Sequence, residues 1–110
     1  MGLSEEQFRQ SKIECFLAEQ RRRERGRDLG EQVEGFLAEA GPDYHVVSVT
    51  WNGNTLSWTL EIATPQASQN VVLSWELVDD ALDSRTRSEM QRLRNMVLFG
   101  LGRQELILKH

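Results

Sequence analysis

The sequence has little of several residue types, and each scarcity excludes a class of protein. It contains a single cysteine, Cys15, in 110 residues, which excludes a disulfide-stapled fold and a zinc site built on cysteines. Its two histidines, His45 and His110, have no ligand spacing to one another or to other candidate ligands. We therefore predict no metal, no cofactor and no catalytic residues. No apolar run approaches the ~20 residues of a membrane helix, so we expect no membrane partner.

Lysine is also scarce, because eleven of the thirteen cations are arginine. Seventeen acidic residues leave a net charge of −4. This balance is too mild for a disordered chain, and the length suits one domain over residues 1–110. The N-terminus has no basic and apolar signal-peptide segment, which favours a cytoplasmic protein.

The first third of the chain has a helical pattern, predicted over residues 4–40. Ser4 and Gln7 form a capping box, and Gly41 with Pro42 marks the end. A continuous helix of this length would measure about 55 Å, against about 35 Å for a compact domain of this size. Two alternatives remain open at this stage. The helix breaks near residues 26–30, or it projects from the domain and pairs with something else.

Apolar residues lie on two different sides of this predicted helix. One stripe is predicted to face the core, and Cys15 extends it as a buried small side chain. Ile13, Phe16 and Leu17 lie off that stripe, as expected for a helix with two surfaces to cover. The stripe contains Leu29, Val33, Phe36, Leu37 and Ala40.

Alternating apolar residues predict a three-stranded antiparallel meander over residues 44–78. Asn52 and Gly53 indicate a hairpin with a two-residue loop. That loop would place Val49 opposite Leu56 and put Val47 on the inner face. The alternation continues through Trp75 and Leu77, which are predicted to belong to the third strand.

A second helix is predicted over residues 80–102, opened by the acidic Asp79, Asp80 and Asp83. Thr86 lies on its apolar stripe. The tail, residues 103–110, alternates weakly and could add a short fourth strand. The fold class is therefore α+β: a long or broken N-terminal helix, an antiparallel meander and a C-terminal helix. Both helices are expected on one face of the sheet.

The most unusual feature is a cluster of five arginines within seven residues, followed by two further arginine pairs in the C-terminal helix. Three hypotheses account for the cluster: a solvated helix face with ion pairs such as Glu19–Arg23 and Arg27–Glu31, a phosphate-binding surface for nucleic acid, or a surface for an acidic protein. The cluster consists of Arg21, Arg22, Arg23, Arg25 and Arg27.

The outer face of the predicted sheet has no lysine or arginine, the residues that commonly keep an open sheet soluble and solitary. It is either an ordinary solvated face or a dimer surface. The candidate dimer residues are Tyr44, Val46, Ser48, Thr50, Ser57, Thr59, Val72 and Ser74.

These features favour a small non-enzymatic protein-interaction module, an adaptor, regulator or chaperone-like protein, that forms a homodimer. Its partner-binding residues are predicted to be the five arginines together with Ile13, Phe16 and Leu17. The alternatives are nucleic-acid binding through the arginines, and a small-ligand or enzymatic domain.

Overall fold

A computed structural model describes residues 5–107 of the chain, which form helices and an open antiparallel sheet. The order is helix, three strands and two further helices, and it confirms the predicted α+β class. Ser4, the predicted helix cap, lies outside the described residues. The elements are α1 (Glu5–Leu37), β1 (His45–Asn52), β2 (Ser57–Ala63), β3 (Ser68–Ser74), α2 (Trp75–Ser84), α3 (Arg87–Gly100) and a 3-10 helix (Gln104–Leu106).

Helix α1 is continuous over 33 residues, so of the two alternatives the break near residues 26–30 does not occur. The two glycines there have a packing role instead. A Cβ on Gly26 would lie 3.1 Å from Cζ3 of Trp58, and one on Gly30 would lie 3.4 Å from Cγ2 of Val49. Because glycine lacks a Cβ, the helix backbone approaches β1 and β2 closely at these positions.

The β1–β2 loop has four residues, 53–56, and the predicted two-residue loop is wrong. Val49 pairs with Leu60 instead of Leu56, and Trp51 pairs with Trp58. The Asn52 side chain stabilises the longer loop, because its Oδ1 accepts hydrogen bonds from the backbone N–H groups of residues 54 and 55. The observed pairing is shifted by four residues from the predicted one. Because four is an even number, Val49 and Trp51 still face inward, as predicted.

A β-bulge between Val46 and Ser48 reverses the predicted facing of β1 at its start. Val46 pairs with Ile62 and packs against the core, whereas Val47 is 56% exposed. Uninterrupted alternation predicts Val47 inside and Val46 outside. The bulge reverses this, because an inserted residue changes which face of the sheet the neighbouring side chains occupy. Tyr44, also predicted on the outer face, packs against the core as well.

Strand β3 ends at Ser74, and Trp75 begins α2, so the prediction that Trp75 and Leu77 belong to the third strand is wrong. The Ser74 hydroxyl accepts a hydrogen bond from the backbone N–H of Leu77 and caps the helix. The alternation of apolar and polar residues continues past this cap because Leu77 belongs to the buried face of α2.

The predicted single helix over residues 80–102 is two helices. Arg85 adopts a left-handed backbone conformation, with φ of 51°, and ends α2. Thr86 then caps α3, because its hydroxyl accepts a hydrogen bond from the N–H of Glu89. The sequence carries this capping box at Thr86 and Glu89, but its apolar periodicity predicts that Thr86 lies on a helix stripe.

The tail forms the 3-10 helix Gln104–Leu106 and no strand within residues 103–107; residues 108–110 lie outside the described part. Arg103 anchors this segment. Its Nη1 donates hydrogen bonds to the Ala40 carbonyl and the Tyr44 hydroxyl, each at 3.0 Å. Its Nε pairs with Glu105, a contact that holds the pKa of that carboxyl below its ordinary value.

One buried cluster joins β2 and β3 to α1, α2 and α3, and partly buried side chains of β1 pack against it. The predicted α1 stripe is confirmed, since Leu29, Val33 and Leu37 are fully buried. Placement of every helix on a single face of the sheet stays a prediction. The core consists of Leu29, Val33, Leu37, Trp58, Leu60, Ile62, Val71, Leu73, Val78, Ala81, Leu82, Leu93, Val97 and Leu101.

Candidate functional site

The N-terminal part of α1 projects from this core. Every side chain described between positions 7 and 24 is exposed, and burial begins only at Arg25 and Gly26. The molecule extends 59 Å along its longest axis and has a radius of gyration of 17.0 Å. A compact chain of this length would have a radius of gyration of about 13 Å. Of the two sequence alternatives, the projecting helix is therefore the one that forms.

Three apolar side chains stand on this projecting part: Ile13, Phe16 and Leu17, which we call the apolar patch. They are 58%, 63% and 43% exposed, and their spacing places them on one side of the helix. At 100° per residue, Ile13 and the buried Leu29 point about 160° apart. Ile13 and Leu17 therefore face away from the protein's own sheet, whereas Phe16 lies within about 20° of Arg23 and Arg27 and lines a smaller pocket with them. Cys15, predicted to be buried, is exposed because no sheet extends beneath this part of α1.

One arginine of the predicted cluster, Arg25, forms ion pairs with another helix. Arg25 forms ion pairs with Asp79 and Asp83 of α2, at 3.6 and 2.5 Å. Burial raises the pKa of Asp79 above its ordinary value of 3.8; Arg25 opposes this rise, and Asp83 and Asp80 add to it. Arg25 therefore fastens α1 to α2 at the point where the projecting part begins.

The other four arginines have no ion pair within residues 5–107, and the predicted Glu19–Arg23 and Arg27–Glu31 pairs do not form. Arg22 stacks over the Trp51 ring at 5.3 Å from its centroid. Of the arginines predicted to bind a partner, those whose charge is left uncompensated are Arg21, Arg22, Arg23 and Arg27.

A groove lies between α1 and β1, with a volume of about 670 Å³, and we call it the α1–β1 groove. Val47, Val49 and Trp51 of β1 line it on one side. Arginines of α1 line it on the other, together with the glycines that bring the helix close. Sequence patterns alone could not locate this groove, because the helix and the strand that form it meet only in the folded chain.

The outer sheet face carries six of the eight predicted dimer residues. Their pairings place Ser48, Thr50, Ser57, Thr59, Val72 and Ser74 on that side, whereas Tyr44 and Val46 pack against the core. Val72 is 62% exposed, but Ser57 is buried, and its hydroxyl lies 2.6 Å from that of Thr55. A dimer on this face stays a prediction. Because five of the six residues are serine or threonine, the face is mostly polar.

The described residues offer neither a metal site nor a membrane-spanning helix. Among residues 5–107, no three histidine, cysteine, aspartate or glutamate side chains are grouped so as to hold a metal ion. Over the same range, no helix combines the length and the hydrophobicity needed to cross a membrane. The chain matches no protein-family model, no curated protein and no solved structure.

Proposed function

We propose that this protein is a non-enzymatic protein-interaction module that pairs with a second copy of itself through α1. The observation that carries the proposal is the exposure of the apolar patch on the projecting part of α1. Most helical stability in proteins comes from packing an apolar face against something else. Within the described residues nothing packs against the patch, and another chain can supply that contact.

A second copy is the partner that requires the fewest additional features. In a symmetric dimer the same residues meet on both sides, so Ile13, Phe16 and Leu17 of one copy would cover those of the other. Charge then selects the direction of pairing. A parallel pair would place the uncompensated arginines side by side, whereas an antiparallel pair centred on the patch separates Arg23 from its counterpart by about 24 Å along the axis. We therefore propose an antiparallel pair.

The proposed location is the cytoplasm. The only cysteine in the sequence is exposed and unpaired, which suits a reducing compartment, where thiols persist.

Light scattering on the full chain at tens of micromolar tests the dimer. We expect twice the 12.7 kDa chain mass, and a monomer under these conditions would overturn the proposal. Phe16→Glu should give a monomer with unchanged circular dichroism from the core, because a charge in the buried contact opposes association.

Phe99→Glu is the matched control. Phe99 is 56% exposed against 63% for Phe16, and it lies on α3. This variant should remain dimeric. Loss of the dimer in Phe99→Glu but not in Phe16→Glu would place the interface on α3 instead of α1.

A further inference from the structure

The α1–β1 groove combines an apolar wall with a cationic rim. Val47, Val49 and Trp51 supply the apolar wall, and Val47 is more than half exposed. Arg23 and Arg27 stand on the facing side of α1, and neither has an ion pair within residues 5–107. The one acidic residue that lines the groove is Glu19. The groove is therefore locally positive in a chain whose net charge is −4.

The backbone of β1 adds a third property. In the three-stranded sheet β1 pairs only with β2, so its other edge is unpaired within the described chain. At one end of that edge the Val46 N–H donates a hydrogen bond to the Glu34 carboxylate of α1. This contact places that end of the free edge beside α1 and shows that a carboxylate is accommodated there. An edge strand with free N–H and C=O groups can accept an added strand.

We propose that the α1–β1 groove binds an extended acidic peptide segment of a partner protein, aligned along the edge of β1. From Val46 to Trp51 the strand measures about 17 Å, the length of about five extended residues. Alternate side chains of such a peptide point to opposite sides. Carboxylates on the side facing α1 would pair with Arg23 and Arg27, and apolar groups on the other side would contact Val47.

The observations favour a peptide over a nucleic acid as the occupant. Single-stranded nucleic acids bind by stacking bases on aromatic rings. The Trp51 ring is already covered by Arg22 and packs against Trp58, with 5.0 Å between the ring centroids. The remaining apolar wall is valine beside a free strand edge, which suits an extended polypeptide backbone.

This site goes beyond the self-association proposed above and does not depend on it, because none of the three patch residues lines the groove. A failure of the dimer would leave the peptide site standing, and the reverse also holds. Ile13→Glu separates the two proposals best, because Ile13 lies on the side of α1 away from the groove, whereas Phe16 lines a smaller pocket with Arg23 and Arg27. We expect Ile13→Glu to be monomeric and to bind the peptide as the wild type does.

Fluorescence anisotropy of a labelled octapeptide of alternating glutamate and valine tests the site on the full chain. We expect binding at low salt that weakens as salt is added, and no binding of the same peptide with lysine in place of glutamate. Absence of binding to the glutamate peptide at hundreds of micromolar would overturn the proposal. Tighter binding of a labelled single-stranded DNA octamer would also overturn it, in favour of nucleic acid.

Two matched pairs of variants locate the binding. Arg27→Glu should weaken peptide binding about tenfold or more, because it replaces an attraction by a repulsion, while Arg87→Glu on α3 should not. Val47→Glu should weaken it similarly, while Val72→Glu should not, although both valines are more than half exposed. All four positions are exposed, so folding is expected to be retained. Equal effects within either pair would contradict the proposed location.

Discussion

The two parts of α1 belong to one helix but differ in what surrounds them. In residues 25–37, Leu29, Val33 and Leu37 are fully buried against the sheet and α3. In residues 7–24, every described side chain is exposed. The comparison separates two requirements that are usually met together. Local sequence suffices to continue the helix, but only contact with a neighbour gives it stability.

Hydrogen exchange should give the largest contrast between the two parts. Amides of residues 29–37 are expected to exchange only through global unfolding, which lies several kcal/mol above the native state. Amides of residues 9–20 should exchange through local opening in a dilute, monomeric sample. Their protection should rise with protein concentration if α1 pairs with a second copy. Uniform protection along α1 at the lowest concentration would contradict this difference.

Truncation of one leucine in each part should sharpen the comparison. Leu29→Ala removes a fully buried side chain and should lower the free energy of unfolding by about 2–5 kcal/mol. Leu17→Ala removes a half-exposed side chain and should change it by less than about 0.5 kcal/mol in the monomer. Urea denaturation below the dimerisation concentration measures both values. Similar losses would mean that the patch is covered within a single chain.

Glycine-to-alanine substitutions in α1 should change the free energy of unfolding in opposite directions at an exposed position and at a packed one. At Gly35 a Cβ would meet nothing within 4 Å, so Gly35→Ala should stabilise the protein by about 0.5–1 kcal/mol. At Gly26 it would press on the buried ring of Trp58, and Gly26→Ala should destabilise by about 1 kcal/mol despite the better helix former. Thermal denaturation distinguishes the signs, and stabilisation by both variants would show that Trp58 yields freely.

The smallest effect concerns the boundary between the two parts, where Arg25 contacts Asp79. Because the pKa of Asp79 is raised in the folded state, the folded protein binds more protons than the unfolded one just above pH 3.8. The free energy of unfolding therefore falls as pH rises through that window. Asp79→Asn removes this fall, so its stability relative to wild type should increase as pH rises. A constant difference across the window, measured by urea denaturation, would contradict the assignment.

Local signals predicted the helix-strand order and the buried stripe of α1. They failed where contacts with residues distant in the sequence determine the local structure. Gly26 suggests a possible helix break, but it allows close packing of α1 against Trp58 of β2. Asn52 and Gly53 looked like a tight turn, but the pairing of Trp51 with Trp58 and the Asn52 side chain support a longer loop. The caps at Ser74 and Thr86 were present in the sequence and were outweighed by apolar periodicity.

The candidate site was predictable only in part. Exposure of Ile13, Phe16 and Leu17 follows from their position off the main stripe, and the arginine cluster is evident from composition alone. What could not be predicted is which arginines are free. Arg25 is compensated by α2, whereas Arg23 and Arg27 face a groove that exists only after α1 and β1 pack together. The i and i+4 spacing predicts ion pairs for Arg23 and Arg27, whereas the arginine that forms ion pairs is Arg25.

The bulge in β1 has a consequence for how the chain can vary. Val46 pairs with Ile62 and Ser48 with Glu61, so the ladder has no partner for Val47. Deleting Val47 would leave both pairings in place and restore uninterrupted alternation. We therefore expect the chain to fold without Val47, although Val47 lines the α1–β1 groove. Changes at that position would then alter the groove without disturbing the core, which would let recognition and folding evolve separately in this strand.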